Sequence, residues 1–263
     1  MPNRWDTKAR RSSQAFSGKV IMNKVDVIFP TCDRDPTKSL ESILRQTFRK
    51  FKIIICNDGK EKILDLSQAL FDQHKFRNYL VIDPGTKYQG ASAARNECLG
   101  ACSSKYVAFL DDDDEYFPDH LEILVNFLDA HSDVDFAFSK AWGVKEKDCQ
   151  AIRAEIWIED LPDGKVKGFL PAPYYQPEMI YKTNICPTLT VMMRRECLEK
   201  VGGFNEDFVC LNDWAAWAKI ALCGYKMVHI NKFTAEYSIH GSGLISKYPV
   251  EAVRIANTIR SWF

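Results

Sequence analysis

Tyr106-Val107-Ala108-Phe109-Leu110-Asp111-Asp112-Asp113-Asp114 sets five apolar residues directly against four carboxylates. The apolar run has the length and composition of a buried strand. It is the fourth of its kind, after runs over residues 25–29, 51–56 and 79–82. Between the first two, Leu40, Ile43 and Leu44 recur at the 3.6-residue period that predicts a helix over residues 37–46, and further helices are expected over 63–73 and 92–99. Strands alternating with helices at this spacing predict an α/β fold with a doubly wound, mostly parallel sheet. Such sheets bind ligands beyond the carboxyl ends of their strands. The residues to inspect are therefore Pro30-Thr31-Cys32-Asp33-Arg34, Asn57-Asp58-Gly59 and the four aspartates.

Beyond the aspartates the pattern is less regular. Asp119 after Pro118 opens a helix. The Pro- and Tyr-rich stretch from Leu170 to Pro177, with Tyr174 and Tyr175, reads as a loop over the site. A strand over 188–193, a helix from Arg195 and another over 213–222 follow.

The 263 residues carry 35 basic and 35 acidic side chains, a balance that argues against a nucleic-acid binder working by bulk charge. With 46% hydrophobic and 12% aromatic residues the chain has the material for a packed core. No apolar run approaches the roughly 18 residues needed to cross a bilayer, so a cytoplasmic protein is expected, open to peripheral association with the inner face of a membrane. Nine cysteines without a CxxC pair or zinc spacing read as reduced, mostly buried thiols. Residues 1–21 hold Arg4, Lys8, Arg10, Arg11 and Lys19 against Asp6 alone and no apolar period, and read as a flexible basic arm ahead of one domain over 22–263.

Four adjacent carboxylates at a strand end repel one another unless a cation stands among them. A strand continued through them would put Asp111 and Asp113 on one face and Asp112 and Asp114 on the other. Hard carboxylate oxygens suit Mg2+ or Mn2+, whose protein share is commonly one or two carboxylates with substrate phosphates completing the shell. A diphosphate-bearing ligand is implied.

An ordered set of motifs adds to this reading. Val27 to Arg34, Ser42-Ile43-Leu44-Arg45-Gln46-Thr47-Phe48, Asn57-Asp58-Gly59, Gly90 with Arg95-Asn96, Phe109 to Asp114, Arg194-Arg195 through Val201-Gly202-Gly203-Phe204, and Asn212-Asp213-Trp214 follow in order over about residues 25–245. Together they resemble the inverting family 2 glycosyltransferases of the GT-A fold. The resemblance implies a nucleotide-binding half over about 22–115 and an acceptor-binding half over 116–263. It places Pro30, Thr31 and Asp33 on the loop that meets base and ribose, Asp58 on the acid that pairs with the base, and Arg95 near the nucleotide. The family's DXD falls on Asp111-Asp112-Asp113, with Asp112 toward the ribose and Asp113 on the metal, Mn2+ or Mg2+. The catalytic base, the second acid of an ED pair, falls on Asp213, the first being Asn212 here, as Asn57 replaces the first acid of the usual DDG. His240 resembles a late histidine that approaches the metal or diphosphate.

On its own residues Asp213 opens a helix and reads as an N-cap. That position and a base's role are compatible, since a base for a sugar hydroxyl needs reach more than basicity. His74, His120, His131 and His229 carry no metal spacing, and Trp142, Trp157, Trp214 and Trp217 read first as core.

The expected partners are a nucleoside diphosphate sugar, with uridine favoured, and a glycan or glycolipid acceptor, with no nucleic acid. Two other readings compete. A sugar-phosphate nucleotidyltransferase would carry a glycine-rich basic loop after the first strand, and Pro30 to Arg34 has no glycine. A non-catalytic glycan- or metal-binding module would not need Asp58, the acidic run and Asp213 together.

Overall fold

The computed structural model describes residues 23–60, 63–146, 156–160, 165–169, 177–240 and 243–263. The basic arm, Tyr174 and Tyr175 lie outside the described residues. In chain order the elements are β1 (Val25–Thr31), α1 (Thr37–Leu44), β2 (Phe51–Asn57), α2 (Ile63–Gln73), β3 (Tyr79–Ile82), α3 (Ala91–Gly100), β4 (Tyr106–Phe109), β5 (Glu115–Tyr116) and α4 (His120–Ala130). Then come β6 (Phe136–Glu146), β7 (Ile156–Asp160), β8 (Lys165–Phe169), β9 (Val191–Arg194), α5 (Arg195–Lys200), α6 (Asn212–Leu222), β10 (Met227–Ile239), α7 (Leu244–Lys247) and α8 (Pro249–Arg260).

The main sheet has the order β3-β2-β1-β4-β9-β6-β10-β5. β3, β2, β1 and β4 are parallel neighbours, and β6 and β10 are parallel to each other. β9 runs antiparallel between β4 and β6, so these six strands share one direction. The doubly wound α/β architecture is the one the strand spacing predicts.

Period-two alternation divides the core between the faces of the sheet. Val27, Phe29, Tyr106, Ala108 and Leu110 pack with Leu40, Ile43 and Leu44 of α1, Phe71 of α2 and Leu124 of α4. Ile28, Val107 and Phe109 pack on the other face with Cys98 of α3, Trp214 and Trp217 of α6, and Ile255 and Ile259 of α8. Each large side chain so buried contributes about 1.5–3 kcal/mol, and a one-residue slip would exchange the faces, so register is firmly fixed. That fixity carries the strand ends. Among the described residues no helix is long and apolar enough to cross a membrane. The eight described cysteines are all free, with Cys56, Cys98, Cys186, Cys197 and Cys210 buried and Cys32 and Cys223 exposed.

The aspartates do not continue the strand. β4 ends at Phe109, and the acids form a turn in which the Asp114 N–H donates to the Asp111 carbonyl at 3.3 Å. The β1 pairing reaches Phe109 and the β9 pairing stops at Ala108, so no ladder partner remains for the acids, and aspartate favours turns. The two-and-two alternation of carboxylates is therefore lost: Asp112 and Asp113 converge on Arg34, while Asp111 meets Arg95 and Asp114 the Ser238 amide. Residues 188–190 likewise form a 3-10 turn, with the strand starting only at Val191.

Candidate active site

Because β1, β2, β4 and β10 run the same way, Thr31, Asn57, the acidic turn and His240 all emerge at one edge of the sheet. Thr188 precedes the reversed β9 and so joins them from the other direction. Pro30 sits within β1 opposite Cys56, past the last β4 pairing at Ile28, where a missing N–H breaks no bond on that side.

Each carboxylate of the turn has its own partner. Asp111 receives Arg95 Nη2 on both oxygens at 2.7 Å. Asp112 Oδ2 accepts the Thr31 hydroxyl at 2.9 Å and the Cys32 N–H at 3.1 Å, and Arg34 Nη1 lies 3.4 Å from its Oδ1. Asp113 Oδ2 takes an ion pair from Arg34 and stands 2.7 Å from His240 Nε2. Asp114 is buried and accepts the Ser238 N–H at 2.9 Å. Burial raises the Asp111 and Asp112 carboxyls above the usual range, Arg95 and the Cys32 amide respectively opposing it. Burial raises Asp114 further, reinforced by the charges of Asp113 and Asp111. At Asp113 burial acts upward too, but the His240 contact and the Arg34 charge outweigh it and hold this carboxyl low.

The first two loops interlock. Asp33, at φ +53°, accepts the Lys60 N–H on Oδ1 at 2.6 Å and the Tyr88 hydroxyl on Oδ2 at 2.5 Å. A Cβ on Gly59 would lie 2.2 Å from Asp33 Oδ1 and 2.6 Å from its backbone nitrogen, so only glycine allows this approach. Asp58 is buried, and its oxygens accept the N–H groups of Gln89 at 2.9 Å and Gly90 at 2.8 Å, which sets the entry to α3.

Asp213 is not the cap of its helix. Leu211, in the left-handed region at φ +53°, precedes α6, and no side chain caps it. The Asp213 carboxylate turns instead to Asn184 Nδ2 at 2.7 Å and the Thr188 hydroxyl at 3.1 Å, both on Oδ2. Its neighbour Asn212 accepts Arg95 Nη1 at 2.9 Å. Trp214 and Trp217 point into the core, their ring N–H groups donating to the carbonyls of Ile180 and Cys186.

Among the described residues no cluster of three or more His, Cys, Asp and Glu side chains is arranged to hold a metal. The pair Asp113 and His240 nonetheless fits a Mg2+- or Mn2+-type site of the two-ligand kind. Cis donors on an octahedral ion with bonds of 2.0–2.1 Å lie about 3 Å apart, close to the 2.7 Å between Asp113 Oδ2 and His240 Nε2.

Arg34, Asn184 and Thr188 carry no assignment from sequence. Arg34 could have been found from its place at the end of the first loop, a cation after a strand that neighbours the one ending in four acids; Asn184 and Thr188 follow the Tyr-rich stretch without any helical period.

The family model for Glycosyl transferase family 2 matches residues 26–202. An uncharacterized glycosyltransferase of Rickettsia bellii is 35% identical over 118 residues, 44% of this chain and 16% of its own length. The chain thus spans a small part of that relative, and 30% of the Rickettsia felis one. The Escherichia coli protein named UDP-Glc:alpha-D-GlcNAc-diphosphoundecaprenol beta-1,3-glucosyltransferase WfaP is 24% identical over 226 residues, 85% of this chain and 79% of its own. Among solved structures, S. aureus TarS 1-349 in complex with UDP-GlcNAc aligns with a TM-score of 0.65 at 19% identity, over 91% of this chain and 71% of that one. The mannosyltransferase PcManGT from Pyrobaculum calidifontis, in complex with GDP-Man and Mn2+, aligns at 0.61 and 19%, over 89% and 60%. With the family model covering most of a doubly wound sheet of this order, the chain belongs to glycosyltransferase family 2 and has the GT-A fold.

Proposed function

We propose that the protein transfers a sugar from a nucleoside diphosphate sugar, with UDP the favoured carrier, to a hydroxyl of a glycan or glycolipid acceptor with inversion, in the synthesis of a surface polysaccharide or glycoconjugate. The observation that carries this reading is the meeting at one sheet edge of Asp112, Asp113 and His240 with Asp213, which lies on the far side of Arg95. Support comes from the names of similar proteins: TarS was solved with UDP and with UDP-GlcNAc, and WfaP is named for UDP-Glc and a lipid-diphosphate-linked sugar.

In this reading Asp33 and Asp112 take the ribose, on the side closed by Asp58, and the diphosphate lies over the acidic turn toward Arg34. A bound Mn2+ or Mg2+, held by Asp113 and His240, would offset charge on the leaving diphosphate. Asp213 takes the proton of the acceptor hydroxyl as its oxygen attacks the anomeric carbon, and the bond to the diphosphate breaks in the same displacement. Asn184 and Thr188 both donate to Oδ2, which fixes the carboxylate plane and directs Oδ1 to the incoming proton. One displacement gives inversion.

The test is a screen of nucleotide sugars for thermal stabilisation with and without Mn2+, since a ligand bound only to the folded state raises its stability by mass action. A UDP-sugar that stabilises only with the metal, and is consumed when an acceptor is added, supports the reading. Turnover of a sugar 1-phosphate with a nucleoside triphosphate would replace it by nucleotidyl transfer, and metal binding without any nucleotide response would leave a binding module.

A further inference from the structure

Arg95 is an arginine on α3 that is only 4% exposed. A buried guanidinium is costly unless its charge is paired, and its planar fork suits two partners at once. Here Nη2 meets both oxygens of Asp111 at 2.7 Å, and Nη1 meets Asn212 Oδ1 at 2.9 Å. The Phe204 ring covers the group, 5.5 Å from Cζ, and Nε is enclosed without a hydrogen-bond partner. Phe204 is itself fixed by the next residue of α3: Asn96 Oδ1 accepts its N–H at 2.8 Å, and Asn96 Nδ2 donates to its carbonyl at 2.9 Å. Arg95 thus has no surface to offer a nucleotide. Its two arms join the acidic turn after β4 to the first residue of α6, across 16 and 117 positions of sequence.

The α6 end of this tie is under strain. Leu211 occupies the left-handed region at φ +53°, which is unfavourable for a residue with a Cβ, and such a conformation persists only where its surroundings impose it. The anchor on Asn212 is one such constraint, and it acts one residue before Asp213.

We propose that Arg95 is a positioning residue that holds the acidic turn and the first turn of α6 in one register, so that the donor-side carboxylates and Asp213 are aligned for the same anomeric carbon, and that it makes no contact with the donor. What the aligned groups do rests on the function proposed above; the tie itself does not. Misplacement by about 1 Å can cost on the order of 100-fold in rate, which is the effect expected of losing it.

The full chain is compared with Arg95→Met, Arg95→Lys, Asp111→Asn and Asn212→Ala. Amide hydrogen exchange over residues 211–216 is measured beside Mn2+-dependent UDP affinity and the kinetics of transfer. Arg95→Met is expected to lower kcat about 100-fold while UDP affinity stays within about threefold. Arg95→Lys is expected to recover part of kcat, and exchange at the start of α6 should rise in Arg95→Met and Asp111→Asn alike. Asn212→Ala removes only the α6 arm and keeps the test open if Arg95→Met does not fold; it should lower kcat at unchanged UDP affinity. Loss of UDP affinity beyond tenfold in Arg95→Met, with α6 exchange unchanged, would make Arg95 a donor ligand and overturn the proposal. If the parent protein binds no nucleotide, the proposed function fails, and the exchange measurement still decides the tie: unaltered exchange in Arg95→Met and Asp111→Asn overturns it.

Discussion

His240 Nε2 and Asp113 Oδ2 stand 2.7 Å apart although 127 residues separate them in the chain. The contact exists because β10 and β4 run in the same direction and end at the same edge. If, as proposed, they are the two donors of a divalent ion, they have a shared consequence: His240→Ala is expected to weaken Mn2+-dependent UDP binding on the order of tenfold, and Asp113→Ala to remove the metal dependence. Calorimetry with and without chelator measures both, and UDP affinity insensitive to chelator in the parent protein would sink the assignment.

In the proposed site Arg34 would compete with the metal for the same oxygen, since its guanidinium pairs with Asp113 and reaches Asp112. Replacing it by Gln should therefore strengthen Mn2+ binding in the absence of nucleotide, by removing a rival cation, and weaken UDP binding in its presence, by removing positive charge from the diphosphate's side. A titration of Mn2+ alone and then with UDP separates the two effects; equal weakening of both would show that Arg34 holds the turn together and competes for nothing.

How much of this was legible in sequence depended on how local the cause was. The runs that became β1, β2 and β4 are buried by their own composition, β3 at the end of the sheet is half-buried, and residues 63–73 and 79–82 have the bounds read from the sequence. β10 carries mixed polar and apolar residues because it is only partly covered, and its pairing with β6 across a chain separation near ninety residues leaves no periodic trace. Whether the strand continues through the aspartates is not written in their composition: pairing, which ends at Phe109, decides that they turn. The Asp213 carboxylate was expected to cap its own helix, but long-range partners at Asn184 and Thr188 claim it.

Those two partners lead to a graded expectation for the base. Asp213→Asn should lower kcat by about 100- to 10,000-fold, the usual range for a general base, with UDP affinity nearly unchanged. Asn184→Ala leaves the base but loosens its orientation, so a smaller fall in kcat, again without a change in donor affinity, is expected from steady-state kinetics. Transfer retained in Asp213→Asn would remove Asp213 from the role.

Gly59 offers a test that touches no catalytic group. An alanine there would force its Cβ to within 2.2 Å of Asp33 Oδ1, so Asp33 must move away from the Lys60 amide and the Tyr88 hydroxyl. If Asp33 serves the donor, Gly59→Ala should raise the KM for the donor by more than it lowers kcat, and should leave the acceptor KM in place. An unchanged donor KM in a folded Gly59→Ala protein would exclude Asp33 from donor binding.

The fold also carries a pH dependence of its own, away from the acidic turn. His120 is fully buried, stacked on Tyr116 with ring centroids 3.8 Å apart, its Nδ1 2.7 Å from the Thr234 hydroxyl and its Nε2 without a partner. Burial lowers its pKa from 6.5 to about 3, so the ring is neutral in the folded protein. Below pH 6.5 the unfolded chain binds a proton that the folded chain refuses, and stability therefore falls as pH drops from 6.5 toward 3, by at most about 1.4 kcal/mol per unit from this one group. His120→Phe keeps the stacking and removes the titration. It should be less stable than the parent at pH 7.5, where the Thr234 hydroxyl keeps Ser139 but loses the imidazole, yet should lose less stability between pH 6.5 and 4.5, as read from urea unfolding at each pH. Parallel losses in the two proteins over that window would mean that His120 takes up its proton without leaving the folded state.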